Sequence, residues 1–125
     1  MQRTAARVSL LFVLLLAYHP VANAHHLTVQ QVLDGLNSDG MKKQAGVEEA
    51  AVDKKVTRLL WIRIGPRWYK LTDLERERLA VQWLKMWKDA VPNGIVSVVD
   101  LVTSEPVVSY HPSGKVTFSV HRASP

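Results

Sequence analysis

The stretch Leu59 to Val102, LLWIRIGPRWYKLTDLERERLAVQWLKMWKDAVPNGIVSVVDLV, reads as a strand, a helix and a second strand in that order. Leu59-Leu60-Trp61-Ile62-Arg63-Ile64 is a short run apolar on both faces and closed by Gly65-Pro66. That pattern suits a strand in the interior of a sheet. Thr72-Asp73-Leu74-Glu75 is a capping box: a threonine side chain for the N–H three residues on, and a glutamate that reaches back. The helix it opens is predicted to run to about Ala90, with Leu79, Ala80, Trp83, Leu84, Trp87 and Val91 recurring at three- and four-residue spacing. Asp73, Glu75 and Glu77 lie in its first turns and Lys85 and Lys88 near its end, as the helix dipole prefers. Pro92-Asn93-Gly94 stops it, and Ile95 to Val102 reads as another central strand, interrupted by Ser97 and Asp100.

Working outward toward the carboxyl end, Thr103-Ser104-Glu105-Pro106 turns the chain. Val107 to His111 and Val116 to His121 then alternate apolar and polar residues around the turn His111-Pro112-Ser113-Gly114. The alternation predicts a hairpin with one wet face. Strand, helix, strand and hairpin make a βαββ unit over residues 57–122, so the expected fold class is α/β. The four strands are expected to share one mixed sheet with the long helix on a face.

Toward the amino end, Thr28 to Gln31 is a second capping box, opening a short amphipathic helix through Val29, Val32, Leu33 and Leu36. Residues 41–56, MKKQAGVEEAAVDKKV, are charged and alanine-rich with thin apolar content, and are read as a second exposed helix with Gly46 as its weak point, the alternative being a partly mobile segment. Residues 25–56 are expected to form one domain with 57–122 and to cover part of the sheet's other face.

Residues 1–24 have the layout of a cleavable secretory signal. Arg3 and Arg7 precede the apolar run Val8 to Ala17, Pro20 follows it, and Ala22-Asn23-Ala24 offers small residues to a signal peptidase. The run is well short of the roughly 20 residues that cross a bilayer. The two arginines are not adjacent, so a twin-arginine route is not indicated. The expected product begins at His25, has no transmembrane segment and resides in the periplasm or outside the cell. Losing Arg3 and Arg7 from the 16 basic residues leaves 14 against 11 acidic ones, a net charge of +3. That is no signature of nucleic-acid binding. The chain has no cysteine, so neither disulfides nor a lipidated cysteine enters, and a core of about 100 residues must hold the fold alone.

The segment Ile64 to Glu75, IGPRWYKLTDLE, followed by Leu79-Ala80 and Trp83, resembles a unit in small exported bacterial proteins of uncharacterised function. In those proteins a strand leads through Pro, Trp and Leu-Thr into a capped helix. The resemblance covers about a quarter of the chain. It implies the strand-to-helix junction and no activity.

Arg63, Arg67, Trp68, Tyr69 and Lys70 form the leading candidate binding cluster. Arginine and aromatic residues are enriched at binding hot spots, and loops on a rigid scaffold commonly carry function. An envelope protein or an anionic glycan or lipid surface would suit them. The exposed edge of the last hairpin is a second candidate, for strand addition, although Pro112 and Lys115 are residues that also guard edges. Trp61, Trp83 and Trp87 read as core. A second function is copper binding: cleavage after Ala24 exposes His25-His26, whose α-amine and imidazole offer nitrogen ligands to Cu(II), with His111 or His121 as a further one. This resembles the amino-terminal histidine of some exported copper proteins and copper oxygenases, whose downstream motifs the chain lacks. Asp100, pairing with His111 or His121, is the only hint of acid–base chemistry. The sequence therefore ranks a non-enzymatic interaction module of the bacterial envelope first, a copper carrier second and an enzyme third.

Overall fold

The computed structural model describes residues 26–119; the predicted signal, His25 and His121 lie outside them. Helix α1 (Val29–Leu36) and helix α2 (Asp39–Ala45) come first, followed by strands β1 (Val47–Val52) and β2 (Leu59–Ile64). The one-turn helix α3 (Pro66–Tyr69) and the long helix α4 (Asp73–Ala90) lead to β3 (Ile95–Asp100), and β4 (Val108–Tyr110) and β5 (Val116–Phe118) end the order.

Both capping boxes are present, with Thr28 on the Gln31 N–H and Thr72 on the Glu75 N–H, each glutamine or glutamate side chain returning to its cap. The structure divides the 41–56 segment. Its helix stops at Ala45 because Gly46 takes a left-handed φ of 80°, and the chain leaves as β1. Helix formers alone favour continuation, but pairing with β2 overrides them, as local propensity is a weak term against a ladder. β1 runs antiparallel to β2 with a bulge between Val47 and Glu49, and β2 runs parallel to β3. The result is a three-stranded mixed sheet in the order β1-β2-β3.

The hairpin β4–β5 forms a sheet of its own instead of supplying a third and fourth strand to a four-stranded βαββ sheet. The cause lies in backbone phase. Val99 bridges Pro106 antiparallel, with Val107 N–H donating to Val98 C=O and Asp100 N–H to Glu105 C=O. Extending that register would require Ser109 to face β3. Ser109 is instead paired with Thr117, between bonds from Ser119 N–H to Val107 C=O and from His111 N–H to Lys115 C=O. Along a strand, successive residues turn their backbone groups to opposite sides. Residues 105 and 107 turn toward β3 while 107, 109 and 111 turn toward β5, so Val107 is shared and the ladder ends there. Pro106 occupies the bridge position, where its missing N–H costs nothing.

One core lies between the sheet and the helices. Leu60, Ile62 and Ile64 of β2 and Val98 of β3 meet Val32 and Leu36 of α1 and Ala80, Trp83 and Trp87 of α4, all buried. Val107, Val108 and Val116 close it from the hairpin side. The buried residues of α1 and α4 thus belong to the same layer, and the amino-terminal helices do not cover the sheet's other face as the sequence suggests. Asn37 finishes the β1 edge. Its Oδ1 accepts from Ala50 N–H at 2.8 Å and its Nδ2 donates to Ala50 C=O at 3.0 Å, occupying both groups as a neighbouring strand would.

Candidate interaction surface

Side chains alternate across a strand, and in β2 the core takes Leu60, Ile62 and Ile64. Leu59, Trp61 and Arg63 are therefore turned to the opposite face. Register places Glu49 and Ala51 of β1 and Ile95, Ser97 and Val99 of β3 beside them. Leu59, Trp61 and Ser97 are half-buried, and Ile95 is 41% exposed. Val99 is buried where Pro106 bridges to it. The Arg63 guanidinium lies 5.9 Å from the Trp61 ring centroid, within cation–π range, and 3.7 Å from a Glu49 carboxylate oxygen. The Trp61 indole donates to Asp53 at 2.9 Å, which fixes the ring's orientation. Asp53 is held below the ordinary carboxylate range, first by the Val56 N–H and then by the Trp61 indole and the Lys55 N–H.

The predicted cluster is distributed over three environments. Arg63 stands on the open sheet face. Arg67 and Lys70 are exposed on the α3 turn, where Arg67 helps, behind the capping bonds of Thr72, to lower the Glu75 carboxyl. Trp68 is in the core, 1% exposed, stacked on Trp83 at 5.5 Å and edge-on to Phe118 at 6.1 Å. Tyr69 donates to Asp100 at 2.6 Å. Trp61 and Trp68 have thus exchanged places relative to the sequence reading. The sequence puts Trp68 in the candidate binding cluster and Trp61 in the core; the structure pairs Trp61 with Arg63 on the sheet face and buries Trp68. Period-two alternation around Leu60 and Ile62 contains the signal for Trp61. Nothing local marks Trp68, whose burial follows from the α3 turn folding back over α4. Arg76 ties that turn down, its guanidinium donating to the carbonyls of Leu71 at 2.8 Å and Trp68 at 3.3 Å and pairing with Asp73. Nothing in the sequence marks Arg76, because a charged residue in a capped helix normally reads as solvated.

Asp100 is accounted for without a histidine. One oxygen takes the Tyr69 hydroxyl and the other the N–H groups of Val102 and Thr103, which shape the turn after β3. His111 is bonded to Thr117 across its hairpin at 3.2 Å. His26 meets Asp89 through Nδ1 at 2.9 Å, and Leu27 N–H donates to the same carboxylate, which these contacts hold below its ordinary range. The amino-terminal segment is thereby attached to the end of α4. No three His, Asp or Glu side chains converge as a metal-holding group among the described residues.

A cleft of about 440 Å³ opens where β4 parts from β3. Leu84 and Lys88 of α4, Ile95 and Val96 of β3, and Val108 and Tyr110 of β4 line much of it. The Tyr110 hydroxyl donates to Ala80 C=O at 2.7 Å beside it, and burial pushes the phenol well above its ordinary pKa. Among the described residues, no helix is long and apolar enough to cross a membrane. No family model matches the chain, and no curated protein or solved structure does either.

Proposed function

We propose that this protein is a non-enzymatic, exported interaction module of the bacterial envelope, binding a protein partner through the sheet face that the described helices leave open. Residues 1–24 would direct export and leave by cleavage after Ala24, placing the mature chain in the periplasm or outside the cell. The observation that carries the reading is that face itself. β2 and β3 are a parallel pair, and parallel strands are ordinarily covered on both sides. Here one side is packed by helices while the other presents Leu59, Trp61 and Ile95, with Arg63 over the Trp61 ring. Tryptophan and arginine dominate binding hot spots because each brings large contact area with a fixed polar handle. Glu49 beside Arg63 and Asp53 on the Trp61 indole make the surface mixed in charge, which favours a protein over a bare anionic glycan or lipid. The anionic alternative rests on Arg67 and Lys70, outside this face.

A photo-crosslinking residue in place of Ser97, in the full chain expressed with its own leader, tests the reading. A discrete adduct is expected from position 97 and not from Gln82, on the exposed side of α4, and Trp61→Ala should abolish it. Equal labelling from both positions, or none, would overturn it. Loss on Arg67→Glu with Lys70→Glu, but not on Trp61→Ala, would move the site to the α3 turn.

A further inference from the structure

Resting on the interaction-module reading, we infer that the cleft between β3 and β4 is a slot for one extended peptide segment of a partner, flanked by carboxylates, which adds a strand to both edges at once. The backbone phase that stops the hairpin from joining the sheet is what makes the slot. On β3 the odd-numbered residues serve β2, as bonds from Ile95 N–H to Arg58 C=O and Leu101 N–H to Ile64 C=O show. Alternation therefore turns the N–H and C=O of Val96 and the N–H of Val98 to the free side. On β4 the odd-numbered residues serve β5, so Val108 and Tyr110 turn theirs away from β5. Val96, Val108 and Tyr110 all line the cleft. The two edges do not pair with each other beyond Val107, because the register set by the Val99–Pro106 bridge puts Ser109, which serves β5, opposite Val96. A single inserted strand removes the conflict, since its own odd and even residues present groups to opposite sides.

The surroundings state what that strand contains. Leu84, Ile95 and Pro112 give apolar walls, which suits small or β-branched residues. Lys88, Ser97 and His111 are among the polar lining, Lys88 carries its positive charge, and no carboxylate is among the lining residues. Asp89, next to Lys88, is engaged by His26 and Leu27. The cleft therefore complements a segment with acidic residues beside an apolar centre. Ile95 and Ser97 belong both to the cleft and to the open sheet face, so a strand seated there would be continuous with the proposed partner surface. Its volume falls within the range of roughly 300–1,000 Å³ found for ligand sites.

The test uses the full mature chain, labelled with ¹⁵N, and the peptide acetyl-Asp-Val-Thr-Val-Asp-amide. Saturable amide shifts are expected at Val96, Val98, Val108 and Tyr110. Replacing both aspartates of the peptide by asparagine should weaken binding about two- to five-fold at low salt, the effect of one or two solvent-exposed charge pairs. Peptides N-methylated at the odd or at the even positions should each lose binding, because each loses the groups for one edge. If one methylated form binds as well as the parent, the double-edge slot is wrong. It is also wrong if shifts stay absent at millimolar peptide, or if the slot amides are already occupied by a second copy in a concentration-dependent dimer. Shifts confined to Trp61, Arg63 and Ser97 would overturn the slot while leaving the sheet-face reading in place.

Discussion

Trp83 and Trp87 are both 0% exposed on the core side of α4, yet replacing each with phenylalanine should have unequal effects. The two substitutions remove the same atoms, so the loss of packing is shared to first order. The polar terms have opposite sign. The Trp87 indole donates to Arg58 C=O at 2.8 Å, whereas the Trp83 indole N–H is buried with no hydrogen-bond partner among the described residues. Trp87→Phe loses a bond with a net value of about 1 kcal/mol, while Trp83→Phe relieves an unsatisfied donor that costs about 1–3 kcal/mol. Trp87→Phe should therefore be the more damaging by about 2–4 kcal/mol. Gly94 adds to the difference: a Cβ there would stand 2.5 Å from Trp87 Cδ1, so the indole edge fills space that phenylalanine leaves empty. At about 4–8 °C per kcal/mol for a domain of this size, the melting temperatures should differ by roughly 10 °C or more. Urea unfolding followed by far-ultraviolet circular dichroism measures this without relying on the altered fluorophores. Equal midpoints and equal slopes for the two variants would refute the assignment of the polar terms, and a reversed order would refute it more strongly.

Three further outcomes follow from other contacts. Asn37→Ala should cost about 2 kcal/mol in urea unfolding, one net hydrogen bond for each Ala50 group released, with Asn37→Asp intermediate because it keeps the acceptor. Gly46→Ala should cost more than about 2 kcal/mol, since it puts a side chain at φ 80° with its Cβ 2.6 Å from the Trp68 backbone nitrogen; a variant as stable as the parent would show that α2 need not end there. Stability should fall at both ends of the pH scale. The carboxyls of Asp53, Glu75 and Asp89 are lowered in the folded chain, foremost by backbone N–H groups, so their contribution is present above the unfolded carboxylate range near pH 4 and is lost as pH falls through their folded values. Tyr110 is raised by burial, so its contribution is present below an unfolded value near 10 and is lost as pH rises beyond it; Tyr110→Phe should flatten only the alkaline limb of a pH series of urea midpoints.

Local chemistry determined much of this protein. The capping boxes at Thr28 and Thr72, the apolar stripe through Trp83 and Trp87 and the strand–helix–strand order can each be read within a few residues, because the interactions that fix them span three or four positions. The α/β class, the parallel pair of β2 and β3 and the long helix between them follow from that order. What tertiary structure decided depends on partners distant in the chain. Val47 to Val52 is a strand because β2 pairs with it, although its alanines and glutamates favour a helix. Trp68 is core because Trp83 and Phe118 receive it. Asp100 is satisfied by Tyr69, 31 residues earlier in the chain. The hairpin's exclusion from the sheet turns on which side one residue, Val107, presents its N–H and C=O. Composition carries no record of that phase, since alternation in the sequence tells which face a side chain takes but not which neighbouring strand its backbone will meet.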